Sequence, residues 1–378
     1  MSASKQAAAS PRVLMTADAV GGVWQYALDA AEGMQAHGIE TVITVLGPAP
    51  SEDQIKKARA AGVEVIVTNL PLDWTADNPD AVMEAGRAVG RLAAEIKPDI
   101  VQFNSPALLA GADIACPVVA VCHSCVATWW DAVRGGPLPE EFVWRTELVR
   151  QGYGRASKLL APTAAFASAT ARVYGLAREP TVVRNGRRAI LERNSTRRGL
   201  FAFTAGRLWD DGKNFASVDR AASRLSLPVL AAGPLNGPNG ARIEARSANA
   251  LGRLSDDEVA SYLSAQPIFV SAAKYEPFGL AVLEAAQAGC ALVLSDIPTL
   301  RELWEGVALF VKPDDDEAIA RSVDRLAADD AARRAMGEAA RDRASIYSLE
   351  SMSMGLLSAY GSLLPSKFDP LSLKGAAA

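Results

Sequence analysis

Twice along this chain, short apolar runs rich in β-branched residues alternate with stretches of helical periodicity. That alternation limits the fold more than any other feature. Residues 12–17 (RVLMTA) read as a buried strand, followed by a Gly21-Gly22 turn and a helix over 24–37 stopped by Gly38. Further strands are expected over 39–46, 63–68, 100–103 and 118–122. The pattern restarts after 187–199, a segment rich in arginine and nearly free of large apolar groups. Strands are then expected over 200–205, 228–232, 267–271, 291–295 and 308–311, and a long helical region over 316–344. Apolar strands separated by helices belong to parallel sheets covered on both faces. The expected fold class is therefore α/β, with two doubly wound, Rossmann-like domains. The first covers 1–184 and the second 185–347, with the tail 348–378 expected to return to the first domain.

The bulk properties narrow the function. A chain of 378 residues is too long for one typical core and comfortable for two. A net charge of −4 provides no basic field for nucleic acid. No apolar stretch is long enough to span a bilayer. Residues 1–10 lack the apolar centre of a signal peptide and read as a disordered start. The four cysteines, Cys116, Cys122, Cys125 and Cys290, are too few for a disulfide scaffold, and a reduced, cytoplasmic setting is expected.

Four segments carry polar chemistry. Gly206-Arg207-Leu208-Trp209-Asp210-Asp211-Gly212-Lys213 directly follows a strand, where open α/β sheets bind ligands. Arg207 and Lys213 could hold a diphosphate there, or be two solvated surface cations. Tyr275-Glu276-Pro277-Phe278-Gly279-Leu280 is a Pro/Gly turn leading into an apolar helix that contains Glu284. The first turn of that helix offers backbone N–H groups to a phosphate. Glu284, one turn further in, is an acceptor for vicinal hydroxyls such as those of a ribose, or an ordinary helix-face carboxylate. Gly21-Gly22 is a second phosphate-loop candidate, or a plain tight turn, and does not make the three-glycine dinucleotide fingerprint. His123 follows the strand 118–122, with Ser124, Trp129 and Trp130 after it. The tryptophans could stack on a sugar face or pack in the core. Cys122-His123-Ser124-Cys125 has no second ligand pair, so no metal site is expected and the thiols read as structural. Neither a nucleophile elbow nor a Walker loop is present.

Taken together, these segments resemble the family 4 retaining glycosyltransferases of GT-B fold, over nearly the whole chain and most strongly from residue 200 to 311. Glu276 and Glu284 match that family's E-x7-E signature, and Arg207 and Lys213 its Arg/Lys pair for the donor diphosphate. Leu251-Gly252-Arg253-Leu254 resembles the strand and loop that receive the base, and His123 the histidine that faces the donor sugar. Asn185-Gly186 resembles the turn opening the second domain, but Arg187 and Arg188 follow where a hydrophobic residue and Asp are usual. The resemblance implies two domains facing each other across a cleft, and metal-independent, retaining transfer of a hexose from a nucleotide sugar, with no cofactor. A UDP-sugar is expected ahead of GDP-mannose. Arg207, Lys213, Glu276 and His123 would be catalytic. Gly21, Gly22, Arg253, Leu254, Phe278, Gly279, Leu280 and Glu284 would complete the donor site. Ser124, Trp129 and Trp130 would face a sugar, glycan or lipid-linked acceptor, the last compatible with peripheral contact at the inner membrane face. The alternatives are a nucleotide-sugar epimerase or a non-catalytic nucleotide-sugar binder on the same scaffold.

Overall fold

The computed structural model describes residues 10–188, 199–238 and 240–368. The expected disordered start, most of the arginine-rich 187–199 segment and the last ten residues of the tail lie outside the described residues. Two parallel-sheet α/β domains make up the rest. The first sheet contains β1 (Arg12–Asp18), β2 (Glu40–Leu46), β3 (Glu64–Val67), β4 (Ile100–Phe103), β5 (Val118–Val121), β6 (Lys158–Ala161) and β7 (Thr181–Val182). Its helices are α1 (Gly22–Gln35), α2 (Glu52–Ala60), α3 (Pro79–Ile96), α4 (Val126–Val133), α5 (Glu140–Arg155) and α6 (Ala164–Tyr174). The second sheet contains β8 (Ala202–Ala205), β9 (Val229–Ala232), β10 (Asn249–Gly252), β11 (Ile268–Ser271), β12 (Ala291–Ser295) and β13 (Leu309–Val311). Its helices are α7 (Phe215–Ala222), α8 (Asp256–Leu263), α9 (Leu280–Gln287), α10 (Pro298–Trp304), α11 (Asp316–Ala328) and α12 (Asp330–Ala344), and α13 (Leu349–Gly361) ends the described chain.

Burial on both faces explains the apolar strands. Val13 to Ala17 of β1 and all of β12 are buried, as expected of parallel strands sandwiched between helices. Two differences from the sequence expectation have local causes. The helical region 316–344 breaks because the Asp329 carboxylate accepts from the Ala332 N–H at 2.9 Å, capping α12 as a new helix. Strands β6 and β7 carry four and two residues, too few to show a period.

The tail packs against the first sheet. Met352, Leu356, Leu357, Tyr360 and Phe368 join Val13, Met15 and Ile100 in one buried cluster. Gly33 of α1 lies so close to α13 that a Cβ there would meet Ser353 at 3.1 Å. His37 lies just past α1 and contacts Ser353 Oγ at 3.3 Å and Glu350 at 3.5 Å. It fastens the returning helix.

Strand order then positions the site. The first sheet runs β3-β2-β1-β4-β5-β6-β7 and the second β10-β9-β8-β11-β12-β13. Each reverses direction once, between β1 and β4 and between β8 and β11. Such switch points open a crevice at the carboxyl ends of the strands. Gly21-Gly22 follows β1 and Arg207 follows β8. The two crevices meet, since a Cβ on Gly21 would lie 3.3 Å from Arg207 Nη1 and one on Gly22 would lie 3.5 Å from Leu280 Cδ1.

Candidate functional site

Two helix N-termini meet at this junction. α1 begins after Gly21 and α9 after Gly279, and neither receives a side-chain cap. Ser51, Asn78, Thr163 and Ser255 cap α2, α3, α6 and α8, whereas α5, α7 and α10 also start without a side-chain cap. An uncapped helix start has free N–H groups and the positive end of the helix dipole. Here two of them converge with Arg207, an arrangement suited to a diphosphate. Gly279 is required by its backbone: its φ of 92° lies in the left-handed region, and a Cβ would press on Glu276 Cγ and Val282 Cγ2 at 3.3 Å. Asp18, at the end of β1, shapes the opposite turn by accepting from Val20 N and Gly21 N at 3.0 and 3.1 Å.

Lys213 and Glu276 are brought together. The Gly212 carbonyl accepts from Lys274 N and Tyr275 N at 2.9 and 3.1 Å, docking the β8–α7 loop on the β11–α9 loop. Lys213 Nζ then pairs with the Glu276 carboxylate, their side chains 25% and 14% exposed. Thr299 Oγ1 donates to the Glu276 carbonyl at 2.6 Å and Thr163 Oγ1 to the Pro277 carbonyl at 3.0 Å, holding the turn from both domains. Arg207 Nη2 donates to Asp210 at 2.9 Å, leaving the guanidinium partly exposed toward the Gly21 turn. Burial pushes the Asp210 carboxyl up. The Arg207 and Lys213 charges and the Trp129 and Gly212 N–H groups outweigh burial, so its pKa lies below the usual range.

Glu284 is engaged differently from the expectation. Its carboxylate pairs with Arg187, which also lies 3.3 Å from Asp29 of α1. Arg187 therefore ties the first domain to α9. The Arg187 backbone is held as well, its N–H by the Tyr347 carbonyl at 3.1 Å and its carbonyl by Gln287 Nε2 at 3.3 Å. Burial raises the pKa of Glu284 despite the guanidinium, and raises that of Asp29 to about 6 for the same reason. In the sequence Arg187 stands out only as a departure at the turn opening the second domain. Asp29 carried no signal, being one polar residue on a helix.

His123 sits at the end of β5, half-buried. Its Nε2 lies 3.0 Å from Asn104 Oδ1, and its ring meets Tyr26 edge-on at 4.4 Å. Burial depresses its pKa to about 3, so the imidazole is neutral near pH 7. Trp129 faces the second domain, donating from Nε1 to Asp210 Oδ1 at 3.0 Å. Trp130 packs on Phe142, with ring centroids 5.9 Å apart. Both indoles are partly exposed, and Ser124 is exposed beside them. Arg253 is exposed just beyond β10, and Leu254 is partly buried against the second domain's core, the cluster that includes Phe278. Among the described residues, no group of three or more His, Cys, Asp or Glu side chains is placed to hold a metal ion. Also among them, no helix is long and apolar enough to cross a membrane.

Comparison with known proteins bears on family and fold. Residues 20–188 match the family profile described as Glycosyltransferase Family 4, and residues 242–343 that described as Glycosyl transferases group 1. No curated protein sequence matches the chain. Among solved structures, sucrose-phosphate synthase from Thermosynechococcus elongatus superposes with a TM-score of 0.77 at 17% identity, covering 94% of this chain and 100% of that one. HepE from Anabaena, in complex with UDP-glucose, gives 0.73 at 18% identity over 93% and 100%. A glycosyltransferase from Rickettsia africae gives 0.68 at 17% identity over 94% and 99%. At these identities the likeness speaks for the fold.

Proposed function

The chain is a family 4-like GT-B glycosyltransferase, and from that premise we propose that it moves a hexose from a nucleotide sugar to an acceptor hydroxyl with retained anomeric configuration and without a metal ion. The observation that carries the reading is the convergence of Arg207, Lys213 and the uncapped start of α9 on one crevice. These groups can neutralise a departing diphosphate without a cation from solution. Preorganised donors of this kind contribute about 3 kcal/mol each to a transition state that develops charge. Glu276, partly buried beside Lys213, would accept hydrogen bonds from sugar hydroxyls. Glu284 has a second oxygen for the ribose, because a carboxylate has about four lone-pair sites and Arg187 does not fill them. The acceptor hydroxyl would attack from the leaving-group face, its proton passing to the departing phosphate.

A UDP-sugar is the proposed donor. Support comes from the fold shared with Anabaena HepE, which was crystallised with UDP-glucose. The test is transfer or slow hydrolysis of UDP-glucose and GDP-mannose in EDTA, with the anomeric configuration of the product read by proton NMR. Arg207→Ala and Glu276→Ala are each expected to lower kcat by roughly 10²–10³-fold while the melting curve is kept. Wild-type turnover by either variant would remove these residues from the mechanism, and an inverted product would remove the retaining assignment.

A further inference from the structure

We propose that Asn104 is a positioning residue for His123. It holds the imidazole as the neutral tautomer protonated on Nε2, so that His123 meets a donor hydroxyl through the Nδ1 lone pair, as an acceptor. The proposal rests on the reading that His123 faces the donor sugar, and it specifies how that contact is made.

The direction of every hydrogen bond follows from one backbone atom. Asn104 Nδ2 lies 2.8 Å from the Thr16 carbonyl, which can only accept. The other amide atom of Asn104 is therefore Oδ1, an acceptor, and it faces His123 Nε2 at 3.0 Å. The proton between them belongs to Nε2. Gln102 Nε2 donates to the same Oδ1 at 3.1 Å and to the Tyr26 hydroxyl at 3.3 Å. Gln102 is oriented in turn by the Tyr360 hydroxyl of α13, which donates to Gln102 Oε1 at 2.6 Å. The Asn104 N–H donates to Thr16 Oγ1 at 3.0 Å, fixing the loop after β4 against β1. Gln102, Asn104, Tyr26 and Tyr360 are all buried, and the Asn104 amide resists reversal because turning it would set Oδ1 against the Thr16 carbonyl and Nδ2 against the Gln102 Nε2 donor. Tyr26 holds the ring edge-on, so the imidazole is constrained in tilt as well as in protonation. Nδ1 keeps its lone pair free of any partner among the described residues. A neutral imidazole with Nε2 committed cannot serve as an acid toward the sugar.

The chain has only two histidines, His37 and His123, so selective labelling gives a readable test. 15N spectra of the histidine-labelled protein at neutral pH, assigned with His37→Gln, are expected to show His123 with a protonated Nε2 and an unprotonated Nδ1. Asn104→Asp keeps an oxygen facing Nε2 but adds a negative charge, which favours a second proton on the ring. Its spectrum is expected to show an imidazolium, and its kcat on UDP-glucose or GDP-mannose to fall roughly 10- to 100-fold with KM within about threefold. If that variant does not fold, Asn104→Ser shortens the acceptor and is expected to give averaged tautomers with the same loss of kcat. A wild-type ring protonated on Nδ1 or exchanging between tautomers would overturn the proposal. So would wild-type turnover by a variant whose ring state has changed. Absence of turnover of both donors by the wild-type protein counts against the transferase reading alone, and the wild-type tautomer then upholds or overturns the assignment to Asn104.

Discussion

The Arg187 guanidinium alters what two carboxylates can do. Read in isolation, Glu284 is a helix-face acid open to a ribose. In the folded chain it pairs with Arg187, and Asp29 approaches the same cation from the first domain. Burial lowers the Arg187 pKa, but the two acids more than reverse this and hold it above the usual range. Asp29 has a measurable consequence. Its carboxyl titrates at about 6 in the folded protein and near 3.9 when unfolded. The folded state thus binds the proton more tightly, and this contribution to stability, full below pH ~4, is lost as pH rises to ~6. Relative to Asp29→Asn, the wild-type protein is expected to lose on the order of 1 kcal/mol per pH unit across that window, read by denaturant unfolding at about pH 5 and about pH 7. A difference between the two proteins that does not change with pH would refute the assignment. Arg187, Asp29 and Asn104 could not be assigned roles from sequence, because each acts through a partner on a distant element, as Asn104 does through Thr16, 88 positions away. Arg207, Lys213, Glu276 and Gly279 could be singled out, because their loops follow strands and their chemistry is local to a turn.

At the scale of elements, the start of α9 is the most constrained feature. A residue other than glycine at φ 92° carries strain, roughly 1–2 kcal/mol. The added Cβ of Gly279→Ala would also move Glu276 or Val282, which lie 3.3 Å away. This variant is expected to be destabilised by about that amount and to show weakened thermal stabilisation by UDP, because the displaced turn carries both the helix N–H groups and Glu276. Stabilisation by UDP equal to that of the wild-type protein would show that the turn does not bind the nucleotide. Similar local rules made most strands readable: 100–103 and 291–295 were located to the residue, and others to within one or two. The break at Asp329 was missed because an N-cap aspartate inside a charged, helix-forming stretch looks like any surface acid until its carboxylate turns toward Ala332 N.

At the scale of the whole molecule, the first domain is completed by the tail of the chain. Met352, Leu356, Leu357, Tyr360 and Phe368 are all at or below 1% exposure, packed on the first sheet. Burying each is worth roughly 1.5–3 kcal/mol, a sum comparable with the ~5–15 kcal/mol net stability of a domain. Ending the chain at Tyr347 is therefore expected to unfold the first domain while the second retains a cooperative transition, visible as a single remaining step in calorimetry. Two undiminished transitions would show that α13 is dispensable. Tyr360 reaches Gln102 from this helix, so the tail also supports the network behind His123. By itself the sequence determined the class of fold, the alternation of strands and helices, and the polar loops that could carry chemistry. Apolar period, glycine position and charge are written locally in the chain, and local physics reads them. Only the tertiary structure decided that Gly21-Gly22 meets Arg207, that Arg187 takes up Glu284, that Trp129 turns to Asp210, and that a backbone carbonyl on β1 orients the amide beside His123. Those outcomes depend on which strand ends become neighbours at the switch points and on how two domains close on one another. Such long-range packing leaves no periodic trace in a sequence.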